Sequence, residues 1–431
     1  MTSITDPQQG IPRGSMAIAA FSTVVEWYDF TLYLYFATVL SRVFFGGGEG
    51  ALIATLAGFA VAYLMRPLGA VVFGHIGDRY GRRPMMLLSV GLMTVAMLVI
   101  SLLPTHAQIG PAAGVLILVL RCLMAFSVGG EYTGVTAYLL EGAPAHRRGL
   151  ITSFASGASE IGALLAVGVS ALTVSLMSTE NLDSWGWRIP FFVGAALAAS
   201  VWIARSTMQE SPDFEAQQAR GTVPKNPLRH TLTHHRVAMW RTFAISALAS
   251  ITYYVGIIYV PSFLTSAGAL DEGDALWLST IAAVVVILVT PLAGALSDRL
   301  GRKPVLIILA LCGVVLPLSM FSLMAGGSQL QALLGAVVLA CVAGGASAIG
   351  PAATAEQFPG EGRLSGLAVG ATVATTIFGG FTPYVAQLLM DRTGSALVPG
   401  VMIAVVALCV LPVLLTMPET APTRSDARVR T

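Results

Sequence analysis

Charge is what this chain has least of. Of its 431 residues 11% are Asp, Glu, Lys or Arg, and 55% are hydrophobic. An ordinary soluble protein has roughly 25% charged residues, so a water-soluble enzyme of this length is close to excluded. Cysteine is scarce too. Cys122, Cys312, Cys341 and Cys409 each stand alone in an apolar stretch, with no CxxC pair and no metal-ligand spacing, and they read as small core residues. His230, His234 and His235 include an i, i+4 pair but lie in a basic segment without Cys or acidic partners in register, so no metal site is assigned to them. A Walker loop and a dinucleotide fingerprint are both missing, the glycine pairs lying inside apolar runs rather than after strands. No cofactor is expected, and ATP-driven transport has no support. With 24 Lys+Arg against 22 Asp+Glu the net charge is +2, which offers no basic field to a nucleic acid.

What the chain does have is apolar runs of membrane length. A helix of about 20 apolar residues crosses a bilayer, and runs bounded by charge, Gly or Pro fall near 17–41, 51–76, 84–104, 114–138, 149–175, 188–206, 240–265, 275–296, 304–325, 330–354, 364–390 and 397–417. The N-terminal Met1 to Ser15 is polar and the first run is long and contains acids, so it reads as a retained span rather than a cleavable signal. The expected fold class is an all-α membrane protein of twelve transmembrane helices in two pseudo-symmetric six-helix bundles. The longest polar interval, beginning at Met208, separates residues 1–207 from 239–431, with 208–238 as a linker loop. If the runs alternate sides, 19 of the 24 Lys/Arg fall on the even-numbered loops and termini, three on the other side (Arg42, Arg188, Arg392) and two inside spans (Arg66, Arg121). The positive-inside rule then puts both termini in the cytoplasm.

A repeat supports the two halves. Gly77-Asp78-Arg79-Tyr80-Gly81-Arg82-Arg83-Pro84 recurs as Ser297-Asp298-Arg299-Leu300-Gly301-Arg302-Lys303-Pro304, an offset of 220 residues, each copy joining the second and third runs of its half. Asp78, Arg79, Arg82, Asp298, Arg299 and Arg302 are therefore candidate gate residues, an acid near one helix end facing another helix N-terminus or a cation across the halves. The same loops also anchor topology by their positive charge.

With this repeated loop, Val25-Glu26-Trp27-Tyr28-Asp29-Phe30, Arg66-Pro67-Leu68-Gly69, Phe126-Ser127-Val128-Gly129-Gly130-Glu131-Tyr132, Trp185-Gly186-Trp187-Arg188-Ile189-Pro190-Phe191-Phe192 and Phe378-Gly379-Gly380 resemble the major facilitator superfamily, and within it the metabolite:proton symporter branch. The resemblance covers essentially the whole chain. It implies proton-driven uptake of small polar metabolites such as citrate-like and dicarboxylic acids, 2-oxoglutarate, shikimate, proline or betaines. Met124 and Ala125 stand where relatives usually have Gln-Gly, which leaves the substrate open.

Ionisable residues inside a membrane are costly and are functional candidates by default. Six lie inside the runs, all in the first half: Glu26, Asp29, Arg66, Arg121, Glu131 and Glu160. Glu26 and Asp29 are three apart and hence neighbours on a helix; either one carries a proton, or both are held ionised by arginines that tie helices together. Glu131 and Glu160 are further proton-coupling candidates. Arg121, which matches the arginine of the superfamily's fourth-span motif, and Arg66 are candidate substrate ligands, since a guanidinium stays charged and presents a planar fork to a carboxylate. Arg66 also reads as a snorkelling gate residue. Tyr132 follows Arg121 by 11 residues and lies within about 20° of its face, whereas Glu131 points about 80° away, toward a neighbouring span. Glu160 is a candidate partner for Glu131 or Arg121. Tyr28, Tyr132, Tyr253 and Tyr254 complete the candidate substrate residues, with packing as the competing reading.

These observations lead to a secondary transporter of the inner membrane that imports a small carboxylate-bearing metabolite with protons. Two intramembrane arginines favour an organic acid such as a di- or tricarboxylate; a proline/betaine-type osmolyte symporter and a proton-driven exporter of a drug or polar toxin are the alternatives. The expected partners are the substrate, protons and the bilayer, with no nucleic acid, and the expected functional unit is a monomer.

Overall fold

The computed structural model describes residues 11–422 except 49, 224, 267–269 and 271. In the apolar interior of a membrane a chain satisfies its backbone polar groups within each segment, and the apolar runs are helices. They are α1 (Arg13–Tyr35), then α2 (Ala57–Tyr80), α3 (Arg82–Ser101), α4 (Ala112–Gly142), α5 (Ala145–Leu176), α6 (Arg188–Ser206), α7 (Arg236–Ile258), α8 (Trp277–Leu300), α9 (Arg302–Ala325), α10 (Gln329–Ala355), α11 (Arg363–Thr393) and α12 (Val398–Thr416). Among the described residues eleven helices, α2 to α12, are long and apolar enough to cross a membrane. The first run differs from expectation: Glu26 and Asp29 lower its hydropathy, and it breaks at Phe36 before a short helix, Ala37–Phe45.

The linker expected to be a loop carries two short helices. Pro212–Arg220 is capped by the Ser211 hydroxyl accepting from the Phe214 N–H, and Pro227–His234 by the Asn226 side chain accepting from the Arg229 N–H. Both begin with proline, which suits the first turn because its N–H would be unpaired there. The caps were present in the sequence; the interval is simply too polar to show in a search for apolar runs. Of the basic residues assigned to the termini, Arg424, Arg428 and Arg430 lie outside the described residues.

Packing follows the repeat. In the first half α1 packs on α5 and α3 on α6; in the second α7 packs on α11 and α9 on α12. Across the halves α2 meets α11, and α5 meets both α8 and α10. The Trp-Gly-Trp-Arg-Ile-Pro segment seats the first-half core: Trp187 is fully buried with its ring edge-on to Phe44 at 4.9 Å, and the Tyr28 hydroxyl donates to the Pro190 carbonyl at 2.8 Å.

Close helix approach depends on missing side chains. A Cβ on Gly129 of α4 would stand 2.1 Å from the Arg66 carbonyl and 2.7 Å from the Ala70 nitrogen of α2. A Cβ on Gly168 of α5 would meet nothing within 4 Å. Gly129→Ala is therefore expected to lower the thermal unfolding midpoint by forcing α2 and α4 apart, an overpacking cost of about 1–3 kcal/mol. Gly168→Ala should leave it unchanged or raise it, Ala being the better helix former. Unfolding of the two purified variants side by side in one detergent checks this.

Candidate functional site

Between the halves lies a cavity of about 170 Å³. Its first-half wall includes Glu26 and Trp27 of α1, Arg66 of α2, Tyr132 of α4 and Ser156 and Glu160 of α5; its second-half wall includes Ser250, Tyr253 and Tyr254 of α7 and Thr372, Thr375 and Thr376 of α11. Both α7 and α11 loosen into a π-turn here, over Tyr254–Ile258 and Thr376–Gly380, a local widening common at functional sites.

Arg66 is the one Lys or Arg among the described residues that lines this cavity. Its guanidinium lies over the Tyr63 ring at 4.7 Å and the Phe30 ring at 5.2 Å, and it approaches Glu26 Oε1 at only 3.6 Å. Glu26 Oε2 and Trp27 Nε1 are buried without a hydrogen-bond partner, which is unusual for polar atoms taken out of water. Beside them the Tyr63 and Tyr254 hydroxyls bond to each other at 2.9 Å, and the Trp27 ring stands edge-on to Tyr253 at 5.7 Å. Glu160 meets neither Glu131 nor Arg121; it accepts a short hydrogen bond from Tyr253 across the halves. Tyr132 bonds Ser156 at 2.9 Å, and Ser156 donates to the Ser347 carbonyl of α10 at 2.9 Å. The expected residues Glu26, Arg66, Tyr132, Glu160, Tyr253 and Tyr254 are thus brought to one cavity.

Asp29, Arg121, Glu131 and Tyr28 lie elsewhere. Arg121 Nη1 donates to both Asp29 oxygens, at 2.8 and 2.6 Å, and its guanidinium lies over the Tyr33 ring at 4.5 Å. Glu26 and Asp29 therefore have separate arginines despite their spacing. Glu131 pairs with Arg205 of α6, whose guanidinium also reaches the Ser22 hydroxyl and, at 2.9 Å, the Met86 carbonyl. Sequence reasoning counted Arg205 among the loop cations. It is buried, and its only signal in the sequence is its place at the very end of an apolar run.

At one end of the bundle the two repeated loops build matching clamps. Asp78 accepts from the Leu364 and Ser365 N–H groups of α11 at 3.2 and 2.7 Å, and Asp298 from those of Gly149 and Leu150 of α5 at 2.8 and 2.9 Å. Each acid sits at the positive end of a helix dipole in the other half. Arg82 joins Asp78 to Glu141, both at 3.0 Å, and Arg302 joins Asp298 to Glu356, at 2.8 and 3.2 Å. Gly81 and Gly301 turn with φ of 114° and 104°, and a Cβ on either would strike the carboxylate of Glu210 or Glu419. Those acids accept the N–H groups that open α3 and α9, Arg82 and Arg83 in one case and Arg302 and Lys303 in the other. Burial raises the pKa of Glu210 and of Glu356; bonded backbone N–H groups and Arg82 pull Glu210 the other way, and Arg302, the Thr420 hydroxyl and Arg148 do so for Glu356. Arg79 donates to the Lys225 carbonyl at 3.1 Å, and Arg299 is exposed beside its clamp. Glu141, Glu356, Arg363 and Glu419 escaped the sequence reading because they fall just outside run ends, and Glu210 because it lies in the polar linker, where charge is unremarkable.

The family described as Sugar (and other) transporter matches residues 15–230, and the Major Facilitator Superfamily matches residues 268–430. The glycine betaine/proline/ectoine/pipecolic acid transporter OusA of Dickeya dadantii is 31% identical over 98% of this chain and 86% of its own. The citrate-proton symporter of Klebsiella pneumoniae is 29% identical over 93% of this chain and 90% of its own. Among solved structures, the proton:xylose symporter XylE bound to 6-bromo-6-deoxy-D-glucose superposes with a TM-score of 0.77 at 22% identity, covering 94% of this chain and 96% of that one. With the fold, the repeated clamps and these likenesses together, the chain is a multi-pass membrane protein belonging to the Major Facilitator Superfamily, a family of transporters and not of enzymes.

Proposed function

We propose that the protein is a proton-coupled symporter of the inner membrane that imports a small carboxylate-bearing metabolite by alternating access, and that the metabolite is a zwitterion of the proline or betaine kind. The observation that carries the reading is the loose pair of Arg66 and Glu26 at 3.6 Å in the wall of the central cavity. A substrate carboxylate that docks on Arg66 displaces Glu26, and one guanidinium cannot neutralise two carboxylates. An unpaired buried charge is expensive, so the loaded cavity holds both acids only with a proton on one of them. Substrate and proton therefore enter together.

The sequence favoured an organic acid because it shows two intramembrane arginines. Only one of them lines the cavity, since Arg121 is bound to Asp29. Against a single guanidinium stand two carboxyls, Glu26 and Glu160, and the rings of Trp27, Tyr253 and Tyr254. A di- or tricarboxylate would bring more negative charge than Arg66 can match. A zwitterion places its carboxylate on Arg66 and its cationic end against aromatic faces and Glu160. The relative from Dickeya dadantii is named for such compounds, and the citrate-proton symporter keeps the organic acid as the second reading.

In this reading residues 1–207 and 239–431 form two six-helix bundles, with α1 and the short helix after it as the twelfth span, and a monomer suffices. The basic loop end is cytoplasmic, as are both termini. Both clamps are closed there, which supports reading this arrangement as the state shut toward the cytoplasm.

Three outcomes are expected. Equilibrium binding of proline and betaine to the wild type should weaken as pH rises, by up to about tenfold per pH unit for one linked proton, and Glu26→Gln should flatten that dependence. A pH-independent wild type would refute the coupling scheme. Arg66→Lys should weaken binding about 10- to 100-fold, since a point charge loses the planar fork and hydrogen bonds to charged groups are worth about 1.5–3 kcal/mol; near-wild-type affinity would remove Arg66 from the site. Asp78→Asn and Asp298→Asn should shift the population toward the state open at the loop end. That shift would be read from the labelling of cysteines placed along the cavity, and unchanged labelling from both sides would overturn the gate assignment.

A further inference from the structure

A second cavity, of about 610 Å³, lies apart from the central one, between α1 and α5 of the first half and α8 of the second. Its walls are apolar and partly open to the bundle surface: Phe21, Phe154 and Ile161 line it and are 57%, 48% and 37% exposed. Gly157 forms part of the floor, and a Cβ there would meet nothing within 4 Å. Two guanidiniums, Arg13 and Arg147, stand at the clamp end of the groove. Both residues are exposed, and neither side chain makes an ion pair or hydrogen bond with a described residue. That separates them from Arg66, Arg82, Arg121, Arg205, Arg302 and Arg363, each of which is paired with a carboxylate.

We propose that this groove binds an anionic glycerophospholipid from the leaflet at the clamp end. Its phosphate lies between Arg13 and Arg147, and an acyl chain runs between Phe21 and Phe154 against Ile287 and Pro291 of α8. Charge complementarity identifies the head: two cations beside hydrocarbon, neither bonded to a carboxylate among the described residues, suit a headgroup of net negative charge better than a neutral or zwitterionic one. Length identifies the tail. From Arg147 to Ile161 the helix rises about 21 Å, comparable with one leaflet of a bilayer about 40–45 Å thick with its headgroups.

The occupant would act on the transport cycle because the groove straddles the seam between the halves. Arg147 is two residues from Gly149, whose N–H is held by Asp298 at the end of α8, and α8 is the wall that departs when that clamp opens. A seated lipid bridges α1, α5 and α8 only while they are together, so it favours the clamp-closed state.

The test uses the full-length protein in nanodiscs of phosphatidylcholine with increasing phosphatidylglycerol, read by native mass spectrometry of retained lipid and by thermal unfolding. Phosphatidylglycerol should be retained in preference to phosphatidylcholine and should raise the unfolding midpoint saturably. The double variant Arg13→Gln/Arg147→Gln should weaken its retention about 10- to 30-fold. Gly157→Leu, which fills the groove without touching either arginine, should abolish retention while unfolding like the wild type in pure phosphatidylcholine. Inorganic phosphate alone should give no stabilisation. Equal retention of the two lipids, undiminished retention in Gly157→Leu, or a phosphate effect matching that of phosphatidylglycerol would each overturn the proposal.

Discussion

A charge inside a membrane has to be matched, and the first half of this bundle is organised by how that is done. Asp29 holds Arg121 at 2.6 Å and Glu131 holds Arg205 in a short contact, both pairs almost wholly buried. Pairs of that kind break at a cost of about 3–5 kcal/mol when one partner is lost. They fix α1 to α4 and α4 to α6. Glu26 and Arg66 are different: they are farther apart, one carboxylate oxygen has no bond, and they face a cavity. The tight pairs tie α1, α4 and α6 together, and the loose pair stands in the cavity wall.

Matching also governs the loop end. Asp78 and Asp298 are acids at helix N-termini of the opposite half, so each closes the bundle by satisfying N–H groups that otherwise have no intrahelical partner. The glycine in each repeat permits the turn that brings the next arginine back onto the acid. The sequence repeat is thus a repeat of one electrostatic device, and its two copies join α2 to α11 and α8 to α5.

Legibility in the sequence divided along the same physics. Apolar runs, the repeat and the signature segments depend on composition and spacing, which a single chain displays, and eleven of the expected spans appear as helices of suitable length and apolarity. α1 was legible as a run only because its acids were tolerated in reading it. Partner choice was not legible. Arg121 and Asp29 are 92 positions apart, and which face of α4 meets α1 is set by helix rotation and depth, quantities that no spacing within one helix encodes. Arg205 was hidden by the same limit, since a cation at a run end can snorkel outward or turn into the core. Glu160 needed the second half to be in place before Tyr253 could be seen as its donor.

The two clamps are alike in their acids and unlike in their arginines, so the two seams are not held in the same way. Arg363 at the start of α11 pairs with Glu141 of α4 at 2.8 Å and with Asp213 of the linker at 3.0 Å, so the α2–α11 clamp carries an ion pair across the halves as well as the two N–H bonds to Asp78. Its counterpart Arg148, at the start of α5, attracts Glu356 through space but makes no ion pair with it among the described residues. The α5–α8 clamp therefore rests on the bonds to Asp298 and on the close passage of Gly149 past Gly294, whose backbones leave no room for a Cβ on either. The α2–α11 seam is in addition tied to the linker, through the pair of Arg363 and Asp213.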